Sequence, residues 1–114
     1  MSLQGTCREA GDVVVVDFGG KITLGEGSAM LRRIIRELLD KGHRKILLNL
    51  DDVDYIDSSG IGELVGAYTT VRGTGGELKL VYLTKRVRDI LQITRLYMVF
   101  DVQADEAAAL TSFR

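Results

Sequence analysis

Lys45-Ile46-Leu47-Leu48-Asn49-Leu50 is an almost unbroken apolar run bounded by charged residues on both sides. A strand with so little polar alternation has to be covered on both faces, which describes the centre of a parallel sheet carrying helices. The flanking sequence supplies those helices. From Ser28 onward Met30, Leu31, Ile34, Ile35, Leu38 and Leu39 recur at helical spacing, with Arg32, Arg33, Arg36 and Glu37 between them. Ser28 is expected to cap this helix, and Gly42 to end it after Lys41. Beyond the apolar run, Ile61, Leu64, Val65, Tyr68 and Val71 mark a second amphipathic helix that stops at Gly73-Thr74-Gly75-Gly76.

The rest of the chain continues the alternation. Val13-Val14-Val15-Val16-Asp17-Phe18 is a β-branched strand ended by Gly19-Gly20, and residues 3–8 are expected to pair with it as an edge strand, turning at Ala10-Gly11-Asp12. Leu78-Lys79-Leu80-Val81-Tyr82-Leu83 reads as a strand, and Val87, Ile90, Leu91 and Thr94 as a short helix. Met98-Val99-Phe100-Asp101-Val102 reads as a last strand, and residues 105–113 as a closing helix with acids at its start. The order β-β-α-β-α-β-α-β-α predicts an α/β fold: a mixed, largely parallel sheet of about five strands with about four helices. With 114 residues, no proline, no repeat and no low-complexity segment, a single domain over 1–114 is expected.

Charge and cysteine content remove several function classes. The 15 basic and 16 acidic residues balance to a net charge of -1, so nothing draws the chain to nucleic acid. One cysteine, Cys7, allows no internal disulfide and no cysteine-built metal site. Met1-Ser2-Leu3-Gln4-Gly5 has neither the basic start nor the apolar run of a signal peptide, and charges interrupt every hydrophobic segment. A cytoplasmic protein without a membrane span, metal or cofactor is expected.

Ligands of such sheets meet the loops beyond the carboxyl ends of the strands, here residues 20–27, 51–60, 84–85 and 104–105. One of these segments stands out. Asp57-Ser58-Ser59-Gly60-Ile61-Gly62 places an acid, two hydroxyls and two glycines where the second helix begins. Asp57, Ser58 or Ser59 could cap the helix, but one cap needs one side chain. Gly60 and Gly62 each cost a helix about 1 kcal/mol relative to alanine. On a helical wheel Ser58, Gly62, Gly66, Thr69 and Gly73 form a stripe of small side chains beside the apolar arc. Such a stripe suits close packing against the sheet or a flat docking surface beside the hydroxyl, and the pattern is compatible with both.

Other chemistries fit less well. A serine hydrolase needs a base near the serine, and the single histidine, His43, lies at the opposite end of the central strand, roughly 20 Å away. Gly25-Glu26-Gly27 lacks the third glycine of a phosphate-binding turn, and Glu26 would repel a phosphate. Asp51, Asp52, Asp54 and Asp57 lack the spacing of a calcium loop and read as solvated loop acids. The helix containing Ala107-Ala108-Ala109-Leu110 reads as packing or a lid on the sheet.

Leu48-Asn49-Leu50 through Asp57-Ser58-Ser59-Gly60-Ile61-Gly62, with Gly20-Lys21-Ile22-Thr23 and Gly75-Gly76-Glu77-Leu78, resembles the signature of the STAS domain, shared by anti-sigma factor antagonists and sulfate-transporter tails. The resemblance spans essentially the whole chain; Lys21 departs from it, where antagonists more often carry an acid or arginine. It implies a non-enzymatic, protein-binding switch. Ser58, with Ser59 as the alternative, would be phosphorylated by an anti-sigma factor that is itself a serine kinase, and a serine phosphatase would reset it. The unphosphorylated protein would sequester the anti-sigma factor. Asp57 would orient the hydroxyl or assist its deprotonation. Asp57, Ser58, Ser59, Gly60, Gly62, Gly66 and Thr23 would form the partner surface, on a monomer or weak homodimer. The alternative is a constitutive scaffold or accessory domain in which Ser58 is only a cap; nucleotide binding is a third, weaker option.

Overall fold

In the computed structural model, which describes residues 3–114, five strands lie in the order β1-β2-β3-β4-β5. They are β1 (Leu3–Ala10), β2 (Val13–Ile22), β3 (Lys45–Ile56), β4 (Glu77–Val81) and β5 (Asp101–Gln103). β1 is antiparallel to β2, and the remaining pairs are parallel. Helices α1 (Glu26–Asp40), α2 (Ser58–Gly73), α3 (Lys85–Ile93) and α4 (Glu106–Ser112) complete the predicted α/β order. Met1 and Ser2, read above as part of a leaderless start, lie outside the described residues.

Strand alternation sorts the apolar residues into two layers. Val14, Val16, Ile46, Leu48, Leu78 and Leu80 face α1, α2 and α3, where Leu31, Ile35, Leu64, Val71, Val87 and Leu91 meet them. Each large side chain fully buried in this layer contributes about 1.5–3 kcal/mol of transfer free energy. Val13, Val15, Leu47 and Val81 point the other way and are covered by Ala109 and Leu110 of α4 and by Phe113 just beyond it. The central run is therefore apolar on both faces, as its composition required. Lys79 of β4 is also buried under α4, where its ammonium donates to the Ser112 carbonyl and hydroxyl and pairs with Asp101.

Four local expectations are corrected. Gly19-Gly20 does not end β2. The pairing with β3 shifts register there, Gly20 takes a φ of 104°, and the strand resumes to Ile22 opposite Ile56. Asp51, Asp52 and Asp54 accordingly lie on β3, not on a loop. Ser28 does not cap α1: the cap position is Gly25, and the Ser28 hydroxyl donates to the Thr23 carbonyl at 2.9 Å. The last apolar run splits into a 3₁₀ turn at Leu96–Met98 and the short β5, because Phe100 turns inward to meet the Tyr68 ring edge-on. The other end of α1 behaves as read. Gly42 adopts φ 92°, and the Gly42 and His43 amides donate to the Leu39 and Leu38 carbonyls, closing the helix with a Schellman motif.

Candidate functional site

Beyond Asn49, which pairs with the last residue of β4, β3 continues on β2 alone. This two-stranded extension projects past the rest of the sheet and delivers the chain to Asp57. Ile22 ends β2 at the same level, and its carbonyl accepts the Asp57 amide at 3.3 Å. The extension is braced from the other side by Thr84, whose hydroxyl donates to the Val53 carbonyl at 3.0 Å while capping α3.

Asp57 is the cap of α2. One carboxylate oxygen accepts the Gly60 amide at 2.9 Å, and the other accepts the Leu24 amide at 3.0 Å. The carboxylate thus joins two loops, bringing the segment after Thr23 against the start of α2. The Gly60 N–H, and next that of Leu24, hold the Asp57 carboxyl below the usual carboxylate range. Each oxygen accepts a backbone amide and the group is a weakened base, so Asp57 serves as the scaffold of the turn.

With capping assigned to Asp57, Ser58 and Ser59 are released from it. Ser58 is exposed at the first position of α2, and Ser59 is half-buried. The small-residue stripe is exposed throughout: Ser58, Gly62, Gly66, Thr69 and Gly73 all face solvent. A Cβ built on Gly62, Gly66 or Gly73 would meet nothing within 4 Å, so close packing does not explain these three glycines. Gly60 is different. It is buried, and a Cβ there would stand 2.0 Å from the Ile22 carbonyl oxygen, so its missing side chain serves the approach of α2 to β2. Thr23 is half-buried on the loop that Asp57 anchors.

The acids read as a cluster are spread along the extension. Asp54 pairs with Lys21 at 3.4 Å, Lys21 and Arg86 lie over the Tyr55 ring, and Asp51 and Asp52 are exposed. Lys21, the departure from the resembled pattern, therefore pairs with an acid on the stretch of β3 that leads to the serines. His43 stands before β3 and Ser58 follows it, separated by the whole strand. Sequence reasoning missed Leu24, whose amide holds Asp57 and whose side chain is 79% exposed next to the turn. Only the distant pairing of β2 with β3 brings it there, and no local pattern signals that.

Two measurable consequences arise here. Gly62→Ala and Gly66→Ala should each raise the unfolding free energy by about 1 kcal/mol, read from urea midpoints at unchanged m, because exposed helical glycine is simply a poor helix former. A loss of stability would show that these positions are packed. The second concerns pH. The folded pKa of Asp57 is depressed, so its stabilisation is fully present above the unfolded value of about 3.9 and is lost as pH falls through the lower folded value. The difference in melting temperature between the wild type and Asp57→Ala should be widest above about pH 5 and narrow below about pH 4. A gap independent of pH would mean that the carboxylate charge plays no part.

Among the described residues no helix is long and apolar enough to cross a membrane. Comparison with known proteins gives a consistent result. The family model of the STAS domain matches residues 6–109. The anti-sigma-B factor antagonist of Bacillus subtilis is 33% identical over 91 residues, 80% of this chain and 82% of the relative. A crystal structure from Thermotoga maritima, described as that of a candidate anti-sigma factor antagonist, superposes with a TM-score of 0.88 at 26% identity, covering 96% of this chain and 94% of the other. The phosphorylated form of the Bacillus cell fate determinant SpoIIAA shares the fold with a TM-score of 0.69 at 20% identity, covering 92% and 96%.

Proposed function

The chain belongs to the STAS domain family, and from that premise we propose that it is a non-enzymatic anti-sigma factor antagonist, switched by phosphorylation of Ser58. One observation carries the reading. Asp57 does the capping, so Ser58 is an exposed hydroxyl with no structural duty, at the head of a glycine stripe that packing does not require. A smooth, low-relief helix face beside an acceptor hydroxyl suits a partner that must approach closely enough to modify it.

In the proposed cycle the unphosphorylated protein sequesters an anti-sigma factor that is also a serine kinase. The γ-phosphoryl group of ATP passes to Ser58 Oγ, ADP leaves, and the hydroxyl proton goes to a base of the kinase, since backbone hydrogen bonds make Asp57 a weakened base. A serine phosphatase reverses the step by hydrolysis. The added charge of about -1.5 to -2 sits at a helix N-terminus, where the helix dipole favours it. The fold is thereby spared, and the phosphate acts on the interface through bulk and through repulsion near Asp57. A phosphorylated relative with the same fold is in keeping with this. Ser59, Gly62, Gly66 and the Thr23 loop complete the proposed contact surface.

The test is to incubate the protein with ATP and candidate anti-sigma kinases from the same genome and to map phosphosites by mass spectrometry. One phosphate on Ser58, absent in Ser58→Ala, is the expected result. Modification of Ser59 would move the acceptor by one residue. If no kinase both binds and phosphorylates the chain, a constitutive scaffold becomes the better reading and Ser58 has no regulatory role.

A further inference from the structure

A cleft of about 500 Å³ opens at the carboxyl ends of β3, β4 and β5, lined by Asp51, Tyr82, Arg88, Tyr97 and Gln103 over the apolar side chain of Val102. None of the residues of the serine turn lines it. Three features mark it as a place for a ligand.

The first is unspent charge of both signs. Lys21 pairs with Asp54 and Lys85 with Asp89, but Asp51 and Arg88 line the same cleft and neither is in an ion pair with a described residue. The second is the backbone of Tyr82. A bulky side chain at φ 58° is an unfavourable conformation, and glycine would relieve it, as it does at Gly75. Tyrosine stands there nevertheless, its hydroxyl accepting the Glu106 amide at 3.0 Å, which fixes its ring in the wall of the cleft. The third is a second acceptor. The Gln103 amide nitrogen donates to Asp101, which leaves its carbonyl oxygen available in the lining of the same cleft.

We propose that this cleft binds a small zwitterion of the α-amino-acid type with an aromatic side chain. Arg88 suits a carboxylate, which its planar fork can hold through two hydrogen bonds. The Asp51 carboxylate and the Gln103 carbonyl oxygen suit an ammonium. Tyr82 and Tyr97 offer ring surfaces for an aromatic body, and the volume lies within the roughly 300–1,000 Å³ range of small-molecule sites. A simple anion would meet Asp51, and a simple cation would meet Arg88, so the arrangement selects for both charges on one molecule.

The test titrates the full isotope-labelled chain with L-phenylalanine, and separately with phenylacetate and phenethylamine, following backbone amides by NMR. Saturable shifts at residues 51, 82, 88 and 103 are expected with L-phenylalanine, with a Kd in the millimolar range or tighter. Each half-molecule should bind about tenfold more weakly, as should the amino acid to Arg88→Gln or Asp51→Asn. Both substituted side chains are exposed, so melting temperatures should be unchanged. Ser58→Ala should bind like the wild type, which separates this site from the phosphorylation reading. No saturable shift with L-phenylalanine at these amides, equal affinity for a half-molecule, or unchanged affinity in both variants would overturn the proposal.

Discussion

Gly60→Ala is expected to destabilise the protein by about 3 kcal/mol or more, the upper end of what overpacking costs. The added methyl would lie 2.0 Å from the Ile22 carbonyl oxygen and 2.8 Å from Ile56 Cγ1. A side chain could swing aside, but the nearer neighbour is backbone. That carbonyl also accepts the Asp57 amide, and the Gly60 amide donates to the Asp57 carboxylate. Relief therefore requires α2 to retreat from β2 and to give up its own cap. Urea unfolding should show a lower midpoint at unchanged m. Two residues further along the same helix, Gly62→Ala should move the midpoint the opposite way, which removes helix propensity as an explanation. A loss below about 1 kcal/mol for Gly60→Ala would show that the junction can relax.

Ser58→Asp is expected to weaken binding of the anti-sigma factor by roughly a hundredfold, equivalent to about 3 kcal/mol, while the melting temperature holds or rises slightly. The two effects separate because they arise on different sides of the same atom. Toward the protein, a carboxylate at the first helical position meets the positive end of the helix dipole, and α2 has no acid of its own in its first turn. Toward the partner, it adds a charge beside Asp57 on a face otherwise made of small, neutral residues. Ser58→Ala should bind like the unmodified protein. Calorimetric titration of the three proteins against the partner decides the matter, and equal affinity for Ser58→Asp and wild type would remove the phospho-switch. A parallel loss of melting temperature would instead indicate damage to the turn.

How far the sequence revealed this arrangement depended on the range of the interaction. Helical and strand periods are local, so the element order and the apolar stripes of α1 and α2 could be read directly. The extension of β3 to Ile56 could not. Asp51, Asp52 and Asp54 look like loop residues until it is seen that only β2 pairs with that stretch, beyond a bulge where Gly20 takes a positive φ. The serines were legible as an oversupply of cap-competent residues. The choice of Asp57 as the cap was not, because its second oxygen is occupied by Leu24, 33 positions earlier. Gly60 and Gly62 carry the same propensity cost and look equivalent in a sequence. Only their neighbours show that one is forced by a carbonyl and the other stands in open solvent.

The cover of the second sheet face has a consequence for synthesis. Val13, Val15, Leu47 and Val81 are all made before α4, and in the finished fold α4 lies over them. Arg8 of the first strand likewise waits for Glu106, 98 positions later, to complete a bridge that also includes Asp17. A nascent chain that has already closed the layer of α1, α2 and α3 still presents an apolar stripe to its surroundings. At about 5–20 residues per second that exposure lasts for seconds. During translation, the vulnerable surface of this protein is therefore the face opposite its main core, and its protection comes with α4, made after every strand it covers.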